Sequence, residues 1–107
     1  MKKDPIPHGN IYQDIFDIFP AAIFIIGKNA SDELSFIDVN REAEKQFRVT
    51  RRQLIGAPLG SAFGLLRDIP FCNTLLAMAY EPQQTGTVSL PLTDGSFAVC
   101  ILKKSVD

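Results

Sequence analysis

The chain has 107 residues, 46% of them hydrophobic and 21% charged, with 11 Lys and Arg against 12 Asp and Glu. That length makes one domain, and area scaling gives about 17,000 Å² of surface extended and about 6,000 Å² folded, enough burial for a core without staples. A formal charge of -1 excludes the basic footprint of a domain that binds DNA, RNA or an anionic membrane.

Residues 1–10 carry two prolines, a glycine and two lysines, and are expected to form a disordered or extended leader. From Ile11 the pattern changes. Ile11, Tyr12, Ile15, Phe16 and Phe19 recur at spacings of three and four, which predicts a short amphipathic helix ending before Pro20, with Asp14 and Asp17 on its other side. Residues 19–27 are the longest apolar run, too short to span a bilayer and without the flanks of a secretory signal. Within it, residues 21–27 predict a strand buried on both faces. A polar turn over 28–33 leads to a second strand over 34–39, paired with the first as an antiparallel hairpin.

Asn40 is an N-cap for a helix over 41–47, in which Ala43 and Phe47 face inward and Glu42 and Glu44 suit the helix dipole. Thr50 to Gln53 has capping-box spacing and opens a short helix with Leu54 and Ile55, stopped by Gly56 and Pro58. Residues 59–68, with two glycines, are expected to be irregular with a short turn. Pro70 fits the first turn of a longer helix over 70–80, with Phe71, Leu75, Met78 and Ala79 on one face. Residues 87–92 alternate as a strand, Thr93-Asp94-Gly95 is a turn, and residues 96–102 form a last apolar strand. Strands at both ends with helices between predict an α+β domain whose helices cover one face of a sheet.

The chemistry-bearing residues are sparse. Two cysteines, Cys72 and Cys100, exclude a disulfide framework and a cysteine-based zinc site. His8 is the only imidazole, and no nucleophile–base pair is visible, so an enzyme is disfavoured. Cys72 has no neighbouring Lys, Arg or His in sequence to lower its pKa, so a redox or photochemical role for it is the weaker reading against burial. Arg51 and Arg52 are expected on a solvated face. Asp38 is expected to face solvent or brace the turn that follows it.

The order of elements, together with three stretches, resembles the PAS domain family across residues 19–102. Phe36-Ile37-Asp38-Val39-Asn40-Arg41-Glu42-Ala43-Glu44 is similar to the family's turn from second strand to first helix, where an Asn leads into a helix with Ala at its fourth position. Phe47 to Gly56 is similar to the helix end, polar turn and following segment. Leu92-Thr93-Asp94-Gly95-Ser96 is like the hairpin joining two late strands. The resemblance implies an antiparallel sheet with helices on one face, over residues 20–107, with residues 1–19 forming a leader and a helix outside the core. Four strands are legible where the family usually has five, so the last family strand is expected to be missing.

The resemblance also implies a non-enzymatic, cytoplasmic sensory module of bacterial signal transduction. Its effector domain, in the same or another chain, would be a histidine kinase, a cyclic-dinucleotide enzyme or a transcription regulator. The cofactor is open: no His stands near the long helix to ligate haem, and Phe71-Cys72-Asn73 does not match the flavin-photoreceptor motif. A small-ligand pocket in the core would be lined by Phe36, Phe47, Leu54, Phe63, Phe71, Asn73, Leu75 and Phe97, against the alternative of a filled core. The stripe Ile11, Tyr12, Ile15, Phe16 and Phe19 is expected at a homodimer interface with the outer sheet face. A constitutive dimerisation module without ligand is the alternative function, and direct nucleic-acid binding and membrane insertion are not expected.

Overall fold

Capping chemistry and apolar period set the elements of the chain, seen here in a computed structural model that describes residues 8–81 and 86–103, without the side chains of 8–12. Helix α1 (His8–Ile18) starts three residues before the predicted stripe and stops before Pro20 as expected. Strands β1 (Ala22–Lys28) and β2 (Leu34–Val39) form a hairpin. Its loop is organised by Asn29, whose Oδ1 accepts from the N–H of Ser31 (2.8 Å) and of Glu33 (3.0 Å). Helix α2 (Arg41–Phe47) is capped by Asn40, and α3 (Arg51–Leu54) by a complete capping box between Thr50 and Gln53. Gly56 follows in the left-handed region (φ 86°), which a glycine adopts without Cβ strain.

The expected irregular stretch contains a 3-10 turn (Leu59–Ser61) and a short helix α4 (Ala62–Leu66). Helix α5 (Ile69–Ala79) is capped by Asp68, whose carboxylate accepts from the Phe71 N–H. Strands β3 (Gly86–Pro91) and β4 (Phe97–Lys103) close the described chain as a second hairpin.

Among the described residues the sheet has four strands in the order β2-β1-β4-β3. The predicted antiparallel sheet is corrected to a mixed one: each hairpin is antiparallel, but β1 and β4 run parallel, Phe24 beside Cys100 and Ile26 beside Leu102. Composition explains the choice of neighbour. β4 is apolar on both faces and takes an interior place, whereas β3 alternates with Thr87 and Ser89 and takes an edge. The count of four strands read from the sequence is the count found among the described residues, with β4 flanked by β1 and β3. The far edge of β2 is covered by the chain after α3: Phe36 N–H donates to Ala57 O, Gly56 N–H donates to Phe36 O, and Ser35 pairs with Pro58.

One face of the sheet carries the core. Ala22, Phe24, Ile26, Phe36, Val39, Ala98, Cys100 and Leu102 point from it into Ala43, Leu54, Leu59, Phe71, Cys72 and Leu75 of the helical layer, all buried. The opposite face, the outer one, carries Ile23, Ile25, Val99 and Ile101, with α1 lying against its β1 side.

Candidate functional site

The junction where α1 meets the domain is built on Asn40. Its side chain is fully buried, and each of its polar directions is used. Oδ1 accepts from the N–H of Ile23 (2.9 Å) and of Ala43 (3.0 Å). Nδ2 donates to the carbonyls of Phe16 (3.0 Å) and Ala21 (2.9 Å). The orientation of the amide is fixed by this set, since carbonyls only accept and N–H groups only donate. The residue predicted as an N-cap is therefore also a C-terminal cap: it satisfies a carbonyl in the last turn of α1 while starting α2.

Around Asn40 stands an ionic network. Asp17 on α1 accepts from Arg51 Nη2 (2.8 Å), from the Arg41 N–H (3.0 Å) and from Gln13 Nε2 (3.1 Å). Arg51 also donates from Nε and Nη2 to Val39 O, at 3.0 and 2.8 Å, and its Nε lies 3.1 Å from Asp38 Oδ1. Burial alone would raise the Asp17 carboxyl, but hydrogen bonds from Gln13 and Arg51, the Arg51 charge and the Arg41 N–H together hold it below its ordinary value. Two sequence expectations are corrected here. Arg51 is not on a solvated face but is folded over the end of β2, and Asp17 is turned inward to it. Asp38 braces its turn as expected, accepting from the Val39 N–H at 2.8 Å.

Other described side chains at this end of α1 and just beyond it are less covered. Ile15 is 57% exposed, Ile18 77% and Phe19 42%. Phe16 is half-buried, and with Ile15 and Phe19 it borders a cleft of about 380 Å³ against Ile23, Ile25 and Asp38 of the outer sheet face. Of the predicted interface residues, the Ile11 and Tyr12 side chains lie outside the described residues.

The predicted core-pocket residues divide. Phe36, Leu54, Phe71 and Leu75 are buried, and Phe47 and Phe63 are half-buried against them. Phe24, which the sequence reading left out, centres the cluster, its ring 5.9 Å from Phe36, 5.4 Å from Phe47 and 5.7 Å from Phe71. Phe47 and Phe71 are 5.8 Å apart. These are ordinary aromatic packing distances, and the rings occupy the space between sheet and helices. Asn73 and Phe97 are corrected: neither faces the core. Asn73 is exposed on α5, because Phe71, Cys72, Leu75 and Ala79 take the buried stripe. Phe97 is 57% exposed, because strand alternation that buries Ala98, Cys100 and Leu102 sends Phe97 to the outer face.

Both cysteines are buried. Burial, with the nearby Asp68 charge second, pushes the Cys72 thiol up to about 11, and burial pushes Cys100 up to about 12. Neither is a thiolate at neutral pH, which removes the reactive form that redox or covalent chemistry needs.

A separate groove of about 680 Å³ runs between the C-terminal end of α2, the α4–α5 connection and the β3–β4 turn. Phe47, Val49, Leu66 and Leu92 line it, together with Arg48 and Arg67. At its edge Asp68 accepts from the N–H (2.9 Å) and hydroxyl (2.7 Å) of Thr93, tying α5 to the turn. Among the described residues no group of three or more His, Cys, Asp or Glu is placed to hold a metal ion, and no helix is long and apolar enough to cross a membrane. Comparison with family models, curated proteins and solved structures gives no match to the chain.

Proposed function

We propose that the chain is a PAS-type regulatory module that acts as a homodimer, passing a signal to an effector domain through α1 and the outer face of its sheet. The observation that carries this reading is the seating of α1. The helix is tied down at its C-terminal end by Asn40 and Arg51, while Ile15 and Ile18 stay exposed beside a sheet face that also exposes Phe97. An apolar helix edge next to an apolar sheet face is unfavourable in water and is relieved by a second surface of the same kind. A two-fold arrangement supplies that surface without a second gene product.

The aromatic cluster favours a second reading alongside the first, a dimerisation module with no core ligand. Phe24 with the three rings packed around it leaves the space between sheet and helices to packing. The signal then enters by contact with a partner, which has to bind one seating of α1 better than another.

Sedimentation velocity tests the shared premise. The wild-type chain is expected to be a dimer, and Ile15→Asp with Ile18→Asp a folded monomer with an unchanged circular dichroism spectrum. These two positions are chosen because they are exposed, whereas Phe16 helps to seat the helix. A monomeric wild type, or a double variant that stays dimeric, sinks the proposal.

A further inference from the structure

The groove between α2, α4, α5 and the β3–β4 turn carries an inference of its own, independent of how α1 works. Its floor is apolar: Val49, Leu66 and Leu92 are buried beneath it and the half-buried Phe47 forms part of its wall. Its volume of about 680 Å³ falls in the range that small-molecule sites occupy.

The polar rim has an imbalance. Its side-chain acceptors take hydrogen bonds from within the chain. Asp68 takes hydrogen bonds from the Phe71 N–H, the Thr93 N–H and the Thr93 hydroxyl. Asp94 takes them from the N–H and hydroxyl of Ser96 and from Gln46. Gln53 Oε1 accepts from the Thr50 N–H. The cationic donors are not spent: Arg48 and Arg67 line the groove, and neither takes part in any of the ion pairs or side-chain hydrogen bonds formed among the described residues.

Both arginines stand where a helix ends in the left-handed conformation, Arg48 at φ 56° after α2 and Arg67 at φ 66° after α4. Glycine is the residue that this conformation favours. Two arginines without side-chain partners along an apolar groove complement a ligand with an apolar body and one anionic end, since guanidinium matches carboxylate geometry.

We propose that this groove binds a small amphipathic organic anion of the carboxylate class, its apolar part on Phe47, Val49, Leu66 and Leu92 and its carboxylate between Arg48 and Arg67. Replacement of either arginine by glycine removes the charge at a position where glycine relieves the backbone, so the variants keep their fold.

The experiment is an amide-resonance titration of the full chain with octanoate and with phenylacetate, and with octanol and benzyl alcohol as their neutral partners. The expected result is a saturable shift at Val49, Leu66 and Thr93 with at least one carboxylate and none with its alcohol. Affinity should fall about tenfold in Arg48→Gly and again in Arg67→Gly, the loss of one charge-assisted hydrogen bond. Arg52→Gln changes the net charge equally outside the groove and should leave affinity unchanged. Absence of any saturable shift with both carboxylates, equal binding of the alcohols, or undiminished affinity in the glycine variants overturns the proposal.

Discussion

At Asn40 one carboxamide satisfies two N–H groups and two carbonyls, all supplied by backbone, in a place with no exposed surface. Substitution there is a matter of how many buried partners are orphaned. Asn40→Asp keeps Oδ1 but sets a second carboxylate oxygen against the carbonyls of Phe16 and Ala21. Repulsion and a buried charge then add to the lost bonds, and the expected loss is about 3 kcal/mol or more, measured from urea unfolding midpoints. Asn40→Ala, which leaves the partners unpaired but uncharged, should lose less. An aspartate variant within about 1 kcal/mol of wild type would remove Asn40 from the centre of the junction. The cysteines give an opposite expectation. With thiols pushed up to about 11 and about 12, Cys72 and Cys100 should both resist a disulfide reagent at pH 7 in the folded chain and react together only as it unfolds. Fast labelling of Cys72 alone would contradict its burial. Residue roles were legible where the rule is local. The cap of α2 by Asn40 follows from its place before an acidic helix start, whereas its bonds to Phe16 O and Ala21 O join residues 24 and 19 positions apart, for which sequence carries no signal. The exposure of Phe97 was legible in principle, since small Ala98 and Cys100 mark the inward parity of β4, but an apolar run on both parities hides which face is covered.

The element that the polar junction governs is α1, and its docking has a predictable acid limit. The folded-state pKa of Asp17 is lowered, so its contribution is complete above the ordinary aspartate value and is lost as pH falls through the lower, folded value. As pH falls below the ordinary aspartate value and through the lower, folded one, Asp17 takes up a proton, Arg51 loses one partner, and α1 should detach before the rest of the domain unfolds. Arg51 stays bonded to Val39 O and Asp38, and Asn40 to Ala21 O, while the Nδ2 hydrogen that Phe16 O had accepted must pass to water as the helix leaves. The side-chain amide resonance of Asn40, followed on acidification, is the measurement. Asp68 and Asp94 are also held below their ordinary values and contribute to acid sensitivity, so Asp17→Asn is the control that isolates the helix. If the Asn40 signal moves only with global unfolding, α1 is not separately released. Among the elements themselves, the starts of α2 and α3 were legible to the residue because each opens with a side-chain cap, whereas α3 stops at Leu54, one residue short of the expected Ile55. Residues 59–66 were not: glycines at 60 and 64 argue against helix locally, and Leu59, Ala62 and Leu66 are held helical by burial against the core, a tertiary effect.

For the whole molecule, the consequential feature is that β1 and β4, the first and last described strands, are central neighbours in parallel pairing. Composition favoured an interior place for both, but the choice between a parallel and an antiparallel pair depends on how the helical crossover delivers the second hairpin. No residue in either strand encodes that. Pairing the first described strand with the last makes the centre of the sheet depend on everything between them, so β1 and β4 can open only with the whole domain. Gly27 shows how tightly the pair is set: a Cβ there would stand 2.9 Å from Lys103 O and 3.2 Å from the Ile37 side chain. The helix α1, by contrast, is held at its C-terminal end by polar bonds and exposes Ile15 and Ile18, the marks of a unit that opens at low cost. Native-state hydrogen exchange separates the two classes. Amides of Phe24, Ile26, Cys100 and Leu102 should exchange only through global unfolding and respond to urea with its full slope. Amides in the last turn of α1 should exchange through a smaller opening with little urea dependence, and should gain protection as chain concentration rises if a second copy covers the helix. Equal protection of α1 and β4 at every concentration would make the helix part of the core, and the outer face would lose its means of passing on a signal.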